Sequence, residues 1–176
     1  MTVDRPSPLA PQTGPWRPPG ARERLRLLNQ TRSIAIVGAS SNPARASYFV
    51  ATYLLSSSTD YTVWFVNPRE QSILGHPVYP SLADLPEPPD LVDVFRRAEE
   101  LPSVAADAIS VGANTFWAQL GLFNQEAADV AHQAGLAVVM DRCIKIEHAR
   151  FAGGLHLSGF DTGVISSRRP SRPGPR

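Results

Sequence analysis

Between Ser33 and Tyr48 the chain reads SIAIVGASSNPARASY, and few stretches of this length restrict a fold as strongly. Ile34, Ala35, Ile36 and Val37 form a short apolar run that stops at Gly38. A loop of small residues follows, and a helix is expected to begin near Ala46. A buried strand, a tight turn and a helix start are the opening of a dinucleotide-type βαβ unit. Gly38 lets the backbone turn with no side chain in the way, so any side chain there is expected to fill a ligand's approach. Ala39, Ser40, Ser41 and Asn42 are small enough for a phosphate to reach the main chain. The amides at the helix start and the positive end of its dipole then face that phosphate. Arg45, at the loop's exit, adds a full positive charge. The GxGxxG signature is absent, and strand-turn-helix units that bind nothing are common in α/β proteins.

A chain of 176 residues holds one domain with a real core and is too short for two comfortable ones. A net charge of +1 gives no global electrostatic argument for nucleic acid or a membrane surface, so a nucleic-acid partner is not expected. No apolar run approaches the roughly 20 residues of a membrane span. The Pro-rich start lacks the apolar core of a signal peptide, and the single cysteine, Cys143, fits a reducing compartment. The expected location is the cytoplasm.

Residues 1–20 show no periodicity and read as a disordered, Pro-rich tail. A helix is expected from Ala21 to Gln30, beginning a domain over 21–151. Within it, Ser47 to Ser57 reads as a helix, Thr62 to Val66 as a second strand and Ser81 to Leu85 as a helical turn. Leu91 to Phe95 reads as a third strand, Glu99 to Asp107 as a helix and Ala108 to Val111 as a fourth strand. Asn124 is placed as the N-cap of a helix stopped by Gly135, before a fifth strand from Ala137 to Met140. Residues 152–176 form a C-terminal extension ending in an Arg- and Pro-rich tail. Strands alternating with helices predict an α/β fold, a Rossmann-like, doubly wound parallel sheet of five strands in the order 3-2-1-4-5. Ligands of such sheets sit beyond the strands' carboxyl ends, at the switch between strands 1 and 4. The residues after each strand are Gly38-Ala39-Ser40, Asn67-Pro68-Arg69, Arg96-Arg97, Gly112-Ala113-Asn114 and Asp141-Arg142. They are small, polar or cationic, as an anionic nucleotide site requires.

The second strand ends in Asn67-Pro68-Arg69, with no carboxylate before Glu70, where NAD-binding domains place an acid for the ribose. An arginine there suits a ribose phosphate, as in NADP or the 3′-phosphate of coenzyme A. Arg96 and Arg97 need an anion, or carboxylates such as Asp93, Glu99 or Glu100, to offset their repulsion. The histidines, His76, His132, His148 and His156, lack metal-ligand spacing. Cys143 and His148 make an imaginable couple with no orienting third group, and Arg142 or Lys145 lowers the thiol's pKa if close to it. A binding site is expected, without an evident catalytic centre.

Taken together, IAIVGASSNPARASY, FVNP, ILGHPVYPSLADLPEPPDLVDVFRR, WAQLG with NQEAA, and GLAVVMDRCIKIEHAR resemble the bacterial CoA-binding-domain proteins. These are small stand-alone Rossmann domains similar to the CoA-binding domain of the succinyl-CoA synthetase α subunit. The resemblance runs from about Ser33 to Arg150. It implies coenzyme A as the cofactor, with Gly38, Ala39, Ser40, Ser41, Asn42 and Arg45 on the pyrophosphate. Asn67, Pro68 and Arg69 flank the adenosine, and Phe95, Arg96 and Arg97 lie along the nucleotide or pantetheine. The expected role is a carrier, a sensor or an accessory of acyl-CoA metabolism, with CoA or an acyl-CoA as partner and self-association as a dimer. Two alternatives stay open. One is a small NADP-dependent or acyl-CoA-processing enzyme with Cys143 or Asp141 as participant, and the other an interaction protein with a vestigial site.

Overall fold

The computed structural model describes residues 12–56 and 59–152. The first helix, α1 (Ala21–Gln30), precedes strand β1 (Ser33–Val37) and helix α2 (Ala46–Leu54). Strands β2 (Thr62–Val66), β3 (Ser72–Ile73) and β4 (His76–Tyr79) follow, then β5 (Leu91–Val94) and helix α3 (Leu101–Ser110). The chain continues through β6 (Thr115–Ala118), α4 (Gln125–Gln133), β7 (Ala137–Val139) and α5 (Ile144–Ala152). The sheet has seven strands in the order β3-β4-β2-β1-β5-β6-β7, all parallel except the β3–β4 pair. It is the Rossmann-like α/β architecture expected.

The strand count and order need correction. The segment from Leu91 does not lie outside the second strand. It pairs directly with β1, Ile36 opposite Asp93, and the outer place beside β2 belongs to His76–Tyr79. Gly75-His76-Pro77 reads as a loop because Pro cannot donate to a ladder. At a sheet edge that loss is tolerated, and here Pro77 faces Ser72 on a two-residue partner. The fourth strand is also displaced. Ala108 to Ser110 complete α3, and the strand is Thr115–Ala118, after the turn at Gly112. A short run of Ala, Ile and Val does not distinguish helix end from strand when no polar period marks either.

Each internal strand sorts its side chains by parity. Ile34 and Ile36 enter one core with Leu27, Leu28, Val50, Ala51, Leu54 and Ile144. Ala35 and Val37 enter the other with Leu101, Val104, Ala105, Ala127, Ala128 and Ala131. Helices α1, α2 and α5 therefore cover one face, and α3 and α4 the other. Each fully buried Ile or Leu supplies about 1.5–3 kcal/mol, and β1 is buried along its whole length.

Polar residues fix the ends of these elements. Asp90 Oδ2 accepts the N–H groups of Arg32 and Ser33 at 2.8 and 3.1 Å, and Ser33 Oγ accepts the N–H of Asp90. This joins β1 and β5 at the amino end of the sheet. Asn124 caps α4 as expected, its Oδ1 accepting from Ala127 N–H, and Gly135 takes the left-handed conformation that ends it (φ 94°). A buried ion pair joins α1 to α5: Arg24 Nε donates to Glu147 Oε2 at 2.8 Å, while Arg24 Nη1 donates to the carbonyl of Pro19.

The expectation of disorder over residues 1–20 is corrected for the part described. Trp16 is buried, its indole N–H donates to the Val138 carbonyl of β7 at 3.0 Å, and its backbone N–H donates to Asp129. Proline richness hides one large aromatic anchor, which is enough to seat the segment. Residues 1–11 and the C-terminal extension from 153 lie outside the described residues.

Candidate functional site

A cleft of about 670 Å³ opens beyond the carboxyl ends of β1, β2, β5 and β6. The sheet reverses its winding between β1 and β5, so the crevice stands at the topological switch point, where α/β sheets take ligands. Gly38, Ser40, Arg45, Asn67, Phe95, Arg96 and Arg97 line it, drawn from three different strand ends. The remaining candidates surround it. Ala39 is buried beneath the loop, Ser41 and Asn42 are exposed loop residues, and Pro68 and Arg69 lie exposed in the turn after β2.

Gly38 has a positive φ of 81°, and a Cβ built there collides with the Phe95 carbonyl oxygen. The expectation that a side chain there first blocks a ligand is corrected: it first meets the backbone after β5. Glycine is required so that the strand ends β1 and β5 can approach. Beyond it the loop is knitted by its own polar groups. Asn42 N–H donates to Ser40 Oγ at 3.2 Å, Ala44 N–H donates to Asn42 Oδ1 at 2.9 Å, and Asn67 Nδ2 donates to the Ala39 carbonyl at 2.7 Å. Asn67 Oδ1 also accepts from Arg69 N–H, so one side chain sets both the first loop and the β2 turn. Helix α2 then starts at Ala46 with no side chain capping its amides.

Glu70 enters this loop. Its Oε1 accepts the Ser41 N–H at 3.0 Å and the Ser40 hydroxyl at 3.4 Å. The Ser41 amide holds the carboxyl below its ordinary range. Across the cleft, Arg97 turns outward to Glu100 at 3.2 Å and Glu99 at 3.4 Å, which lowers the Glu100 pKa, first through the hydrogen bond from Arg97. Arg96 lines the cleft and makes no ion pair among the described residues, although Glu100 feels its charge.

The far wall comes from residues the sequence reading did not single out as ligands. Phe49 and Val50 of α2, Gln119, Leu120 and Leu122 after β6, and Cys143 and Ile146 at the start of α5 complete the lining. Lys145 Nζ lies 3.4 Å from the centre of the Phe49 ring, bridging α5 to α2 by a cation–π contact. Beneath Gln119 lies Asp93, fully buried. Gln119 Nε2 donates to its Oδ1 at 2.5 Å, while its Oδ2 has no partner, and burial pushes its pKa up to about 8. Asp93 therefore does not pair with Arg96 or Arg97. Gly112-Ala113-Asn114 is at the wrong end of the sheet: Asn114 N–H bonds the Asp90 carbonyl at the amino edge. With β6 read at its true position, the same rule of taking residues after each strand points to Gln119 and Leu120.

Cys143 and His148 do not form a couple. His148 Nδ1 meets the Tyr53 hydroxyl at 2.8 Å, its ring lies against Tyr53 and Tyr61, and burial lowers its pKa. Burial raises the Cys143 pKa and outweighs the lowering that the nearby Lys145 charge supplies. Asp141, at φ 54°, accepts the Gly121 N–H at 2.6 Å, holding the β6 turn in shape.

Fold and cleft together define a Rossmann-like module with a cationic crevice at its switch point. Residues 32–149 match the family model described as CoA binding domain, and the chain belongs to that family. It is 39% identical over 131 residues to the uncharacterised protein YneT of Bacillus subtilis, spanning 74% of this chain and 96% of YneT. A solved hypothetical protein from Pyrococcus horikoshii superposes with a TM-score of 0.71 at 35% identity, covering 78% of this chain and 98% of that one. Similarity at 26% identity also extends to an ADP-forming acetate–CoA ligase of Archaeoglobus fulgidus. There it covers 68% of this chain and 18% of the ligase. Among the described residues no helix is long and apolar enough to cross a membrane.

Proposed function

We propose that the cleft binds coenzyme A or an acyl-CoA, and that the protein works in the cytoplasm as a carrier, sensor or accessory of acyl-CoA metabolism. The observation that carries this reading is the presence of Arg45 and Arg96 in one crevice with the amino end of α2, which no side chain caps. Cations and free amides together favour a polyanion. Gly38, Ala39, Ser40, Ser41 and Asn42 with Arg45 take the pyrophosphate, which shares the loop with Glu70. Asn67, Pro68 and Arg69 flank the adenosine, with Arg69 near its 3′-phosphate. Phe95, Arg96 and Arg97 run along the nucleotide or pantetheine. Self-association as a dimer belongs to the same reading, and the exposed Phe123 and Val130 offer apolar area for it.

Titration calorimetry with CoA, NAD and NADP tests the reading, with CoA expected to bind most tightly. Tighter binding of NADP than of CoA would overturn it. Arg69→Ala is expected to weaken CoA more than dephospho-CoA, by up to about 1.5–3 kcal/mol for a charge-assisted phosphate contact and less where water screens it. Equal losses for the two ligands remove Arg69 from the 3′-phosphate.

A further inference from the structure

We propose that Gln119 reads the ligand's uncharged arm: held by Asp93 beneath it, its side-chain amide presents Oε1 to the cleft and accepts an amide N–H of that arm. This rests on the CoA reading and deepens it, since the arm of coenzyme A carries amide groups between its pyrophosphate and its thiol.

The first observation is the state of Gln119 itself. It directly follows β6, lines the cleft and is only 4% exposed. One end of its amide is occupied, because Nε2 donates to Asp93 Oδ1 at 2.5 Å. The other end is free. Oε1 has no hydrogen-bond partner among the described residues, and unlike Asp93 Oδ2 it is not sealed from solvent. An almost wholly buried side chain thus keeps an open acceptor for the cleft. Such an acceptor is costly to leave unmet, so the group that fills the cleft is expected to meet it.

The second observation is how firmly this amide is held. The backbone of Gln119 is fixed at both sides, its N–H donating to the Val94 carbonyl at 3.3 Å and its carbonyl accepting the Leu122 N–H at 2.9 Å. A glutamine amide otherwise turns readily about its last side-chain bond, and the bond to Asp93 removes that freedom. Burial pushes the Asp93 pKa up to about 8, so at neutral pH the carboxyl is uncharged. Its carbonyl oxygen still accepts from Nε2, and the pair places no net charge beneath the arm.

The surroundings give the ligand a direction. Phe95, Leu120, Leu122 and Ile146 share the lining with Gln119, an apolar setting that suits an uncharged chain and not a phosphate. Ser47, also 4% exposed, lines the cleft near the amino end of α2 with Arg45, where anions are favoured. Between the two ends the sheet runs from β1 across β5 to β6. Two strand spacings make roughly 10 Å, within reach of an extended peptide-like arm. A ligand with its phosphates at Arg45 therefore crosses the end of β5 and brings its arm to Gln119.

Titration calorimetry on the full chain compares CoA with adenosine 3′,5′-bisphosphate, which keeps the nucleotide and lacks the arm. Gln119→Met keeps the length of the side chain and removes the acceptor. It is expected to weaken CoA by about tenfold and to leave the bisphosphate within about twofold of wild type. Asp93→Leu removes the support alone and is expected to weaken CoA by about threefold or more, again sparing the bisphosphate. Asp93→Asn, whose side-chain carbonyl still accepts from Nε2, is expected to bind CoA as wild type does. Thermal unfolding checks that each variant is folded, and the Gln119→Met and Asp93→Asn results decide the matter if Asp93→Leu does not fold. Unchanged CoA affinity in Gln119→Met, or equal losses for the two ligands, overturns the proposal and spares the CoA reading. Wild-type CoA affinity in Asp93→Leu, or a weakened Asp93→Asn, overturns the positioning role of Asp93. Absence of CoA binding by the wild-type protein overturns both readings.

Discussion

The two helical layers bury their residues by different rules. The layer of α3 and α4 is packed on small apolar side chains, with Ala105, Ala108, Ala127, Ala128 and Ala131 all inaccessible to solvent. The layer of α1, α2 and α5 buries Ile, Leu and Phe side chains as well, but it also encloses the ionisable groups Arg24, Glu147 and Asp93. The cleft lies on this second side, walled by α2 and the start of α5. Alanine-rich packing lets two helices approach closely and leaves little to adjust. Buried charge destabilises unless every group is answered, and it is kept where a position or a proton matters. One layer holds the sheet, and the other holds the site.

The strongest way to break this contrast is Glu147→Ala. It strands the buried Arg24 and is expected to destabilise the fold by about 3–5 kcal/mol, measured by urea unfolding. A loss below 1 kcal/mol, as at an exposed pair, would place Arg24 in effective contact with water. Asp93→Asn sharpens the contrast through pH. With its folded pKa raised from 3.8 to about 8, Asp93 keeps its proton in the native state while the unfolded chain gives it up. Native stability therefore falls as pH climbs from about 4 to about 8 and levels off above. Asn is expected to remove that slope and to be more stable than wild type by up to about 5 kcal/mol at pH 8, with the difference vanishing near pH 4. Parallel stability curves for the two proteins would show an Asp93 that ionises normally. In the other layer, Ala128→Leu overpacks the α3–α4 contact and is expected to cost about 1–3 kcal/mol with no dependence on pH. No loss there would mean that the alanine layer has room.

Much of the fold was readable because parity and punctuation agree. The SIAIV strand, the Asn124 cap and the Gly135 stop are local signals, and tertiary structure has no reason to override them. The edge strand at His76–Tyr79 and the true start of β6 were not readable. The first carries Pro77, and the second sits beside a helix end of similar composition. That displacement hid Gln119, since residues just after a strand are found only when the strand is found. Arg96 followed directly from its strand end. The partners that distinguish it from Arg97 depend on the turn at Ala98–Glu100, which presents Glu100 to Arg97. The role of Glu70 as an acceptor for Ser41 depends on the β2 turn folding back over the first loop, a contact between segments well apart in the sequence.

The seat of Trp16 bears on where this domain can be cut. Its indole covers β7, the last strand on that side of the sheet, and occupies the Val138 carbonyl. A fragment trimmed to the family match at residue 32 discards that cover along with Arg24, and leaves Glu147 buried without its strongest partner. Bare strand edges recruit other strands. Such a fragment would carry the whole cleft on a sheet that others can extend, so its aggregation would report the missing plug rather than a fault in the binding module.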